Sequence, residues 1–455
     1  MLGAGLALLA ACGRSSTTTP AARAVVARPP ATSSLLRFAH DGGIARLYDA
    51  ADLATHGWHS AERIPALRRV VGADLDQRLV YAIDAQSALV SLDLTSRRVR
   101  SLLKGVSAAA LGPNGALYAV DSVNGVTQVA RRTAIRFRSP LSGPPRSLFG
   151  TMTGTLVALP ARGAGLQVVS SDRAAPAVAL AAGPAAATFF GDLVAVAADS
   201  AVLLWDPGAK KAPRRVRTPG HARAVLFSPS GHRLFVAQDA DRLLVIDRFS
   251  GDRIDEIDLP GPAAGLRTDL YGGWLLVRPR DGDSTWVVDV ARNRYVGAVA
   301  ARWGPDLPVA AGPGTLVARR GDDVVALDLT RAGFPSIGHI AGGAADLWLA
   351  VAWSPVDAPE ETPADSAAAP TDRAPGGTSR IYLQVSSSRN PAWARDLADK
   401  ILGAGLPASM LAPARGEELY RVVLGPYPSR EAAEEATRKV GMPSFVVTVQ
   451  DSIGR

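Results

Sequence analysis

Cysteine is almost absent. The 455 residues hold one, Cys12, so no intrachain disulfide forms and the rest of the chain has no thiol nucleophile. The apolar run before it, Met1 to Ala11, is too short to span a bilayer. There is no Gly-x-Ser-x-Gly elbow and no phosphate-binding glycine loop. Histidine is sparse. The one close pair is His56-Gly-Trp-His59, in a turn-rich stretch with no glutamate beside it, while His40, His221, His232 and His339 stand apart. No catalytic constellation, metal site or cofactor is expected from this inventory. No helical period of apolar residues appears between residues 35 and 354.

That same region carries a repeat. Apolar strands recur at Leu79, Leu117, Leu156, Leu193, Leu234, Leu275 and Leu316, at spacings of 38, 39, 37, 41, 41 and 41 residues. Most are followed, after a short polar turn, by a second strand ending in an acid: Asp93, Asp206, Asp247, Asp289 and Asp328. Acids that recur with the repeat are read as turn formers. A period near 40 residues built only of strands and turns predicts a β-propeller over 35–354. Seven repeats are countable, so about seven blades are expected, six or eight also fitting the period, with the segment around Arg37–Leu47 supplying the strand that closes the ring. The repeats loosely resemble the WD-type and bacterial surface propellers, with Trp205-Asp206 the one near match to their signature.

The segments around this region cannot bury a core. Residues 12–34 are rich in Ser, Thr, Ala and Pro and read as a flexible tether; residues 355–378 are acidic and Pro-rich and read as a disordered linker. The sequence Leu9-Ala-Ala-Cys12 resembles the lipobox of bacterial lipoproteins. That resemblance implies removal of residues 1–11 as a signal peptide and lipidation of Cys12. No Lys or Arg precedes the apolar run, so the initiation site is expected upstream of Met1. Gly13 follows the cysteine where an Asp would mark retention, which implies the periplasmic face of an outer membrane. The net charge is +8, with a basic run at 210–217 that reads as a solvated blade edge. An exported chain is not expected to meet nucleic acid.

Residues 379–455 have a different grammar. Ile381, Leu383 and Val385 alternate with Tyr382, Gln384 and Ser386, the pattern of a strand with one apolar face and one wet face. Asn390-Pro391 opens a helix whose apolar stripe is Ala394, Leu397, Ala398, Ile401 and Leu402. A second half repeats the plan from Leu419: strand, Gly425-Pro426, a helix capped by Ser429, then Phe445–Val449. The expected unit is α+β, of βαββαβ order, with two helices on one face of a four-stranded sheet and the other face bare.

Three stretches carry a resemblance to the SPOR domain family: Tyr382-Leu-Gln-Val, Ala404-Gly-Leu-Pro-Ala408 and Tyr420-Arg-Val-Val-Leu-Gly-Pro-Tyr427. Members of that family bind peptidoglycan glycan strands stripped of their stem peptides, at the division septum. The resemblance implies a glycan site at Gln384, Arg421, Tyr427 and Ser386. Where the family's first strand runs on as Gly-Ser-Phe, this chain reads Ser386-Ser-Ser388, so an aromatic is missing. Taken together, these readings describe a multidomain, membrane-anchored wall-binding lipoprotein. Its propeller presents surfaces to a protein partner of unknown identity and is not an enzyme. The alternative is a wall-processing enzyme with its active site in the propeller channel.

Overall fold

The computed structural model describes residues 33–355 and 379–450, leaving out 75–76, 114, 130–133, 138–139, 152–153, 164, 171–176, 179–181, 190, 209–210, 270–271, 313, 354, 389–390, 404–405, 414–419, 430–431 and 433–444. Residues 1–11, read as a signal peptide, Cys12, nearly all of both segments read as linkers, Asn390 and most of the expected second C-terminal helix therefore lie outside the described residues.

The strands of the repeat region are apolar on both faces, because each sheet is sandwiched between two others. Eight four-stranded antiparallel sheets form in this region. Seven are contiguous in sequence, at 67–103, 106–136, 145–178, 185–217, 222–258, 263–300 and 309–343; these are blades 2 to 8. Blade 1 is split. Ser34–Phe38, Arg46–Asp49 and Thr55–His59 come from the N-terminal side, and Leu347–Val351 comes from the far end of the region. The architecture is the expected propeller, with one blade more than the repeats that can be counted. The segment around Arg37–Leu47 does supply the closing strand, as part of Ser34–Phe38 and Arg46–Asp49 in a blade of their own.

Eight apolar clusters join the eight blades, and period-two alternation explains them. In blade 2, Val80 and Ala82 face blade 1, where they meet Leu36, Leu47 and Trp58, while Tyr81 and Ile83 face Val106 and Ala119 of blade 3. In blade 6, Leu234 and Val236 look back to blade 5, and Phe235 and Ala237 look forward to blade 7. The countable leucine strands are the second strands of their blades. The first strands lie against one another around the axis, and in most blades Ala, Gly, Ser or Arg interrupts their apolar residues, so the repeat reads from the second strand onward. The recurring acids are turn formers, as expected. Asp93 Oδ1 accepts from the backbone N–H of Thr95 and Ser96 at 2.8 and 2.9 Å, and Asp247 Oδ1 accepts from Phe249 and Ser250, both at 2.8 Å. His56 and His59 share strand Thr55–His59 at an odd spacing, so they point to opposite faces and form no pair.

Arginines tie adjacent blades through backbone carbonyls. Arg68 of blade 2 donates to Val106 and Ser107 of blade 3, each at 3.2 Å. Arg146 of blade 4 donates to Ala182 and Gly183 at the entry to blade 5. Arg214, from the basic run, donates to Arg248 and Phe249 of blade 6. Arg233 of blade 6 reaches Val290 of blade 7 at 2.6 Å; burial pushes its guanidinium down to about 10. Arg267 of blade 7 reaches Pro308 at 3.1 Å, and Arg319 of blade 8 reaches Ala344 at 2.6 Å.

The ring is closed by antiparallel pairing of Ser34–Phe38 with Leu347–Val351, from Ser34 opposite Val351 to Phe38 opposite Leu347. Trp348 anchors the joint. It is 2% exposed, its Nε1 donates to Gly343 O at 2.9 Å, and its ring lies 5.7 Å from Tyr48. Asp346 accepts from Arg37 Nε at 2.6 Å and from the His40 backbone N–H at 3.0 Å. Burial raises the Asp346 carboxyl, but the hydrogen bonds from Arg37 and His40 outweigh it and hold the group below the ordinary carboxylate range. A carboxyl lowered in the folded state adds stability above its unfolded value, near pH 4, and loses it as pH falls through the folded value. Asp346→Ala should therefore cost about 2–3 kcal/mol at pH 7 and much less at pH 2–3, read from denaturant midpoints of both proteins at the two pH values. An equal cost at both would remove the ion pair from the account of closure.

Candidate functional site

The C-terminal sheet runs in the order Ala408–Leu411, Tyr420–Tyr427, Ser379–Ser388, Phe445–Gln450, with every neighbour antiparallel. Its helix, Pro391–Gly403, begins on the proline, where the missing N–H costs no intrahelical bond. Ala394, Leu397, Ala398 and Ile401 bury one stripe against Leu383, Val385, Val422 and Leu424. Leu402 departs from the expected stripe: it is 56% exposed, because its neighbour Ile401 already fills the position that faces the sheet. Past Tyr427, the N–H of Ala432 donates to Ser429 Oγ at 3.1 Å, which is the expected cap.

Cross-strand partners share a face, so register decides which candidates meet. Leu383 stands opposite Leu424 on the helix side, and Gln384 stands opposite Val423 on the other. Beyond Gln384 the register shifts by one residue. Ser386 pairs with Val422, Ser387 with Arg421 and Ser388 with Tyr420. This bulge corrects the expected placement of Ser386. It sits opposite a helix-side residue, and Ser387 takes the register position across from Arg421. The physical reason is local, since three serines in a row offer no apolar alternation to hold a register. Tyr427 pairs with Ile381 and packs on the helix-side cluster, and burial raises its phenol. The structure thus brings Gln384 and Arg421 to one face and places Tyr427 and Ser386 toward the other.

The Gln384 face is also less open than expected. Gln384 and Tyr382 are each 8% exposed and Val423 is fully buried; Arg421 is half-buried. Tyr382 and Val423 bring apolar area to this face, and leaving such area in water costs about 25 cal/mol per Å². The accessible part of the pair is the Arg421 end. A guanidinium there offers a planar fork of donors matched to a carboxylate, and Gln384 supplies an amide donor and acceptor two strand positions away.

Residues 377–448 match the SPOR domain family. The C-terminal unit is a SPOR domain. Such a domain implies peptidoglycan binding and places the chain in the cell envelope. No curated protein matches the sequence. Among solved structures, the crystal structure of Citrobacter koseri AztD is similar at 14% identity, covering 70% of this chain and 97% of that one, with a TM-score of 0.51. The apo form of AztD from the same organism is similar at 15% identity, with the same coverage and TM-score. These likenesses carry the propeller fold and nothing of activity. Among the described residues, no helix is long and apolar enough to cross a membrane.

The corrected helix stripe has a direct consequence. Ile401→Ala should destabilise the SPOR domain by about 2–4 kcal/mol, whereas Leu402→Lys should fall within about 0.5 kcal/mol of the parent. Denaturant titration followed by amide signals of this domain reads both, and comparable losses would restore Leu402 to the core.

Proposed function

We propose that this chain is a lipid-anchored adaptor of the bacterial envelope. Lipidated Cys12 holds one end in a membrane, with the periplasmic face of the outer membrane as its place. The SPOR domain holds stem-peptide-free glycan at the division septum. The propeller presents its surfaces to a protein partner and is not a catalyst. The observation that carries the reading is the SPOR match over 377–448, joined to the shared face of Gln384 and Arg421.

The chemistry supports the ligand. A stripped glycan exposes a lactyl carboxylate on each muramic acid, where an intact strand carries an amide to the stem peptide. A carboxylate accepts a charge-assisted fork from Arg421; an amide does not. Gln384 suits the polar edge of an adjoining sugar. Tethering supports the affinity, because an anchored chain meets the wall at high effective concentration and a weak individual contact suffices. For the anchor, the support is the sole cysteine standing directly after Leu9-Ala-Ala.

Co-sedimentation of the purified chain with amidase-stripped and intact peptidoglycan tests the glycan reading. The stripped wall should be preferred about tenfold, and Arg421→Ala should remove about 1–2 kcal/mol of that binding. Gln384→Ala should weaken it less, with thermal melting run alongside because Gln384 is buried. Equal binding to the two walls, unaffected by Arg421→Ala, would sink the septal assignment. For the anchor, Cys12→Ser should move the protein from the membrane fraction of cells to the soluble fraction; an unchanged distribution would exclude lipidation as what holds it.

A further inference from the structure

The first strand of each blade faces the propeller axis, and the charge these strands carry is almost all arginine. Across all eight, the charged residues are Arg68, Arg69, Arg146, Arg223, Arg267 and the single acid Asp74. Asp74 ends its strand and is buried. Three of the arginines occupy the same place. Arg68, Arg146 and Arg223 are each the second residue of a first strand, in blades 2, 4 and 6.

A shared irregularity sets that place apart. In blades 2, 3, 4, 6 and 7 the register between first and second strands slips at the second residue, at Arg68, Ser107, Arg146, Arg223 and Ala264. A bulge leaves one residue unpaired and re-aims its side chain. Because all first strands run the same way along the axis, these five positions lie at one mouth of the channel. Arg68, Arg146 and Arg223 are exposed there. In blade 7, where Ala264 holds the position, Arg278 of the next strand extends to the Ala264 carbonyl at 3.4 Å.

The charge at this mouth is largely uncompensated. Arg223 is paired with Asp239 through both carboxylate oxygens, at 2.6 and 2.7 Å. Arg68 and Arg146 donate to backbone carbonyls and to the Ser87 hydroxyl, all neutral acceptors, and Arg69 stands exposed beside Arg68. Asp84 and Asp121 end second strands across from Leu67 and Val106 and are engaged by the Ala88 backbone N–H and by Arg136, and Asp199, Asp281 and Asp322 are on turns between second and third strands, one strand farther from the axis. The three guanidiniums come from alternate blades, with a whole blade between one and the next. A ligand engaging them together must be an extended chain with charges along its length.

We propose that this mouth of the propeller binds an anionic glycan chain, with Arg68 and Arg146 as its contact residues. The choice of a glycan over an acidic peptide rests on the peptidoglycan reading of the SPOR domain. The repeating lactyl carboxylates of stripped strands have the required chemistry. The propeller then adds a second wall contact to the first, and the two bind with avidity.

The test uses the full chain carrying Arg421→Ala, so that the SPOR contact is already weakened. Three probes are compared: stripped glycan strands, the same strands with their carboxyls reduced to alcohols, and polyglutamate. Residual binding to the stripped strands should fall at least fivefold in Arg68→Gln/Arg146→Gln. It should stay within twofold in Arg68→Lys/Arg146→Lys, which keeps the charge and loses the fork to the next blade. Reduced strands should not bind. No residual binding, equal loss in the Lys and Gln variants, or equal binding of reduced strands overturns the proposal. Tighter binding of polyglutamate than of glycan overturns it in favour of an acidic peptide. The comparison of the parent with Arg421→Ala alone reads the SPOR assignment separately.

Discussion

The propeller depends on one joint. Seven blades are each a local product of contiguous sequence, but a ring of sheets has no stable end, because the last blade would leave an apolar face in water. Pairing Ser34–Phe38 with Leu347–Val351 removes both ends at once. Trp348 fills the joint, and Asp346 draws Arg37 and the His40 backbone to it across more than 300 positions of chain. Every interblade cluster then has a partner on each side, so a failure at the joint exposes apolar area all around the ring rather than at one blade. The two strands that meet there carry both ends of the propeller, so the chain before Ser34 and the chain leading to the SPOR domain leave from the same blade.

Arginines supply a recurring polar tie between adjacent blades. Adjacent blades diverge toward the rim, and their turns present carbonyls that the sheets do not use. A guanidinium has enough donors and reach to satisfy two carbonyls of the next blade at once, as Arg68, Arg146 and Arg214 do. A lysine has the charge without the fork. This gives the positive excess a structural cause: these side chains are ties first. Since the acceptors are neutral, the ties leave their charge in place, and at the channel mouth that charge is set on aligned bulges.

Much of this was legible beforehand. The period near 40 residues, the alternation in Leu79–Asp84 and its counterparts, and the acid-led turns identify a propeller without coordinates. So does the unit at 379–450, whose strand–helix–strand order and Gly-Pro turn are written in residue types. The countable repeats number one fewer than the blades because the remaining blade is divided between two ends of the region, and contiguous repeats do not include it. Simple alternation puts Ser386 on the Gln384 face, but nothing apolar enforces alternation through a serine run, and the bulge turns it to the other side. Spacings of seven and eight fit a helical face about equally well, so periodicity includes Leu402 in the stripe, and only the packing of Ile401 excludes it.

The sequence by itself determined the local grammar: where strands, turns and the C-terminal helix form, which faces are apolar, and which family the last domain resembles. These follow from short-range periodicity and from the chemistry of single residues. Tertiary structure alone decided that blade 1 is split, that Asp346 finds Arg37, that Gln384 shares its face with Arg421 and not with Tyr427, and that Arg68, Arg146 and Arg223 gather at one mouth. Each of these depends on register or on closure between segments far apart in the chain. One-residue shifts in pairing, as at the Gln384–Ser386 bulge, move a side chain to the opposite face while leaving composition and period untouched.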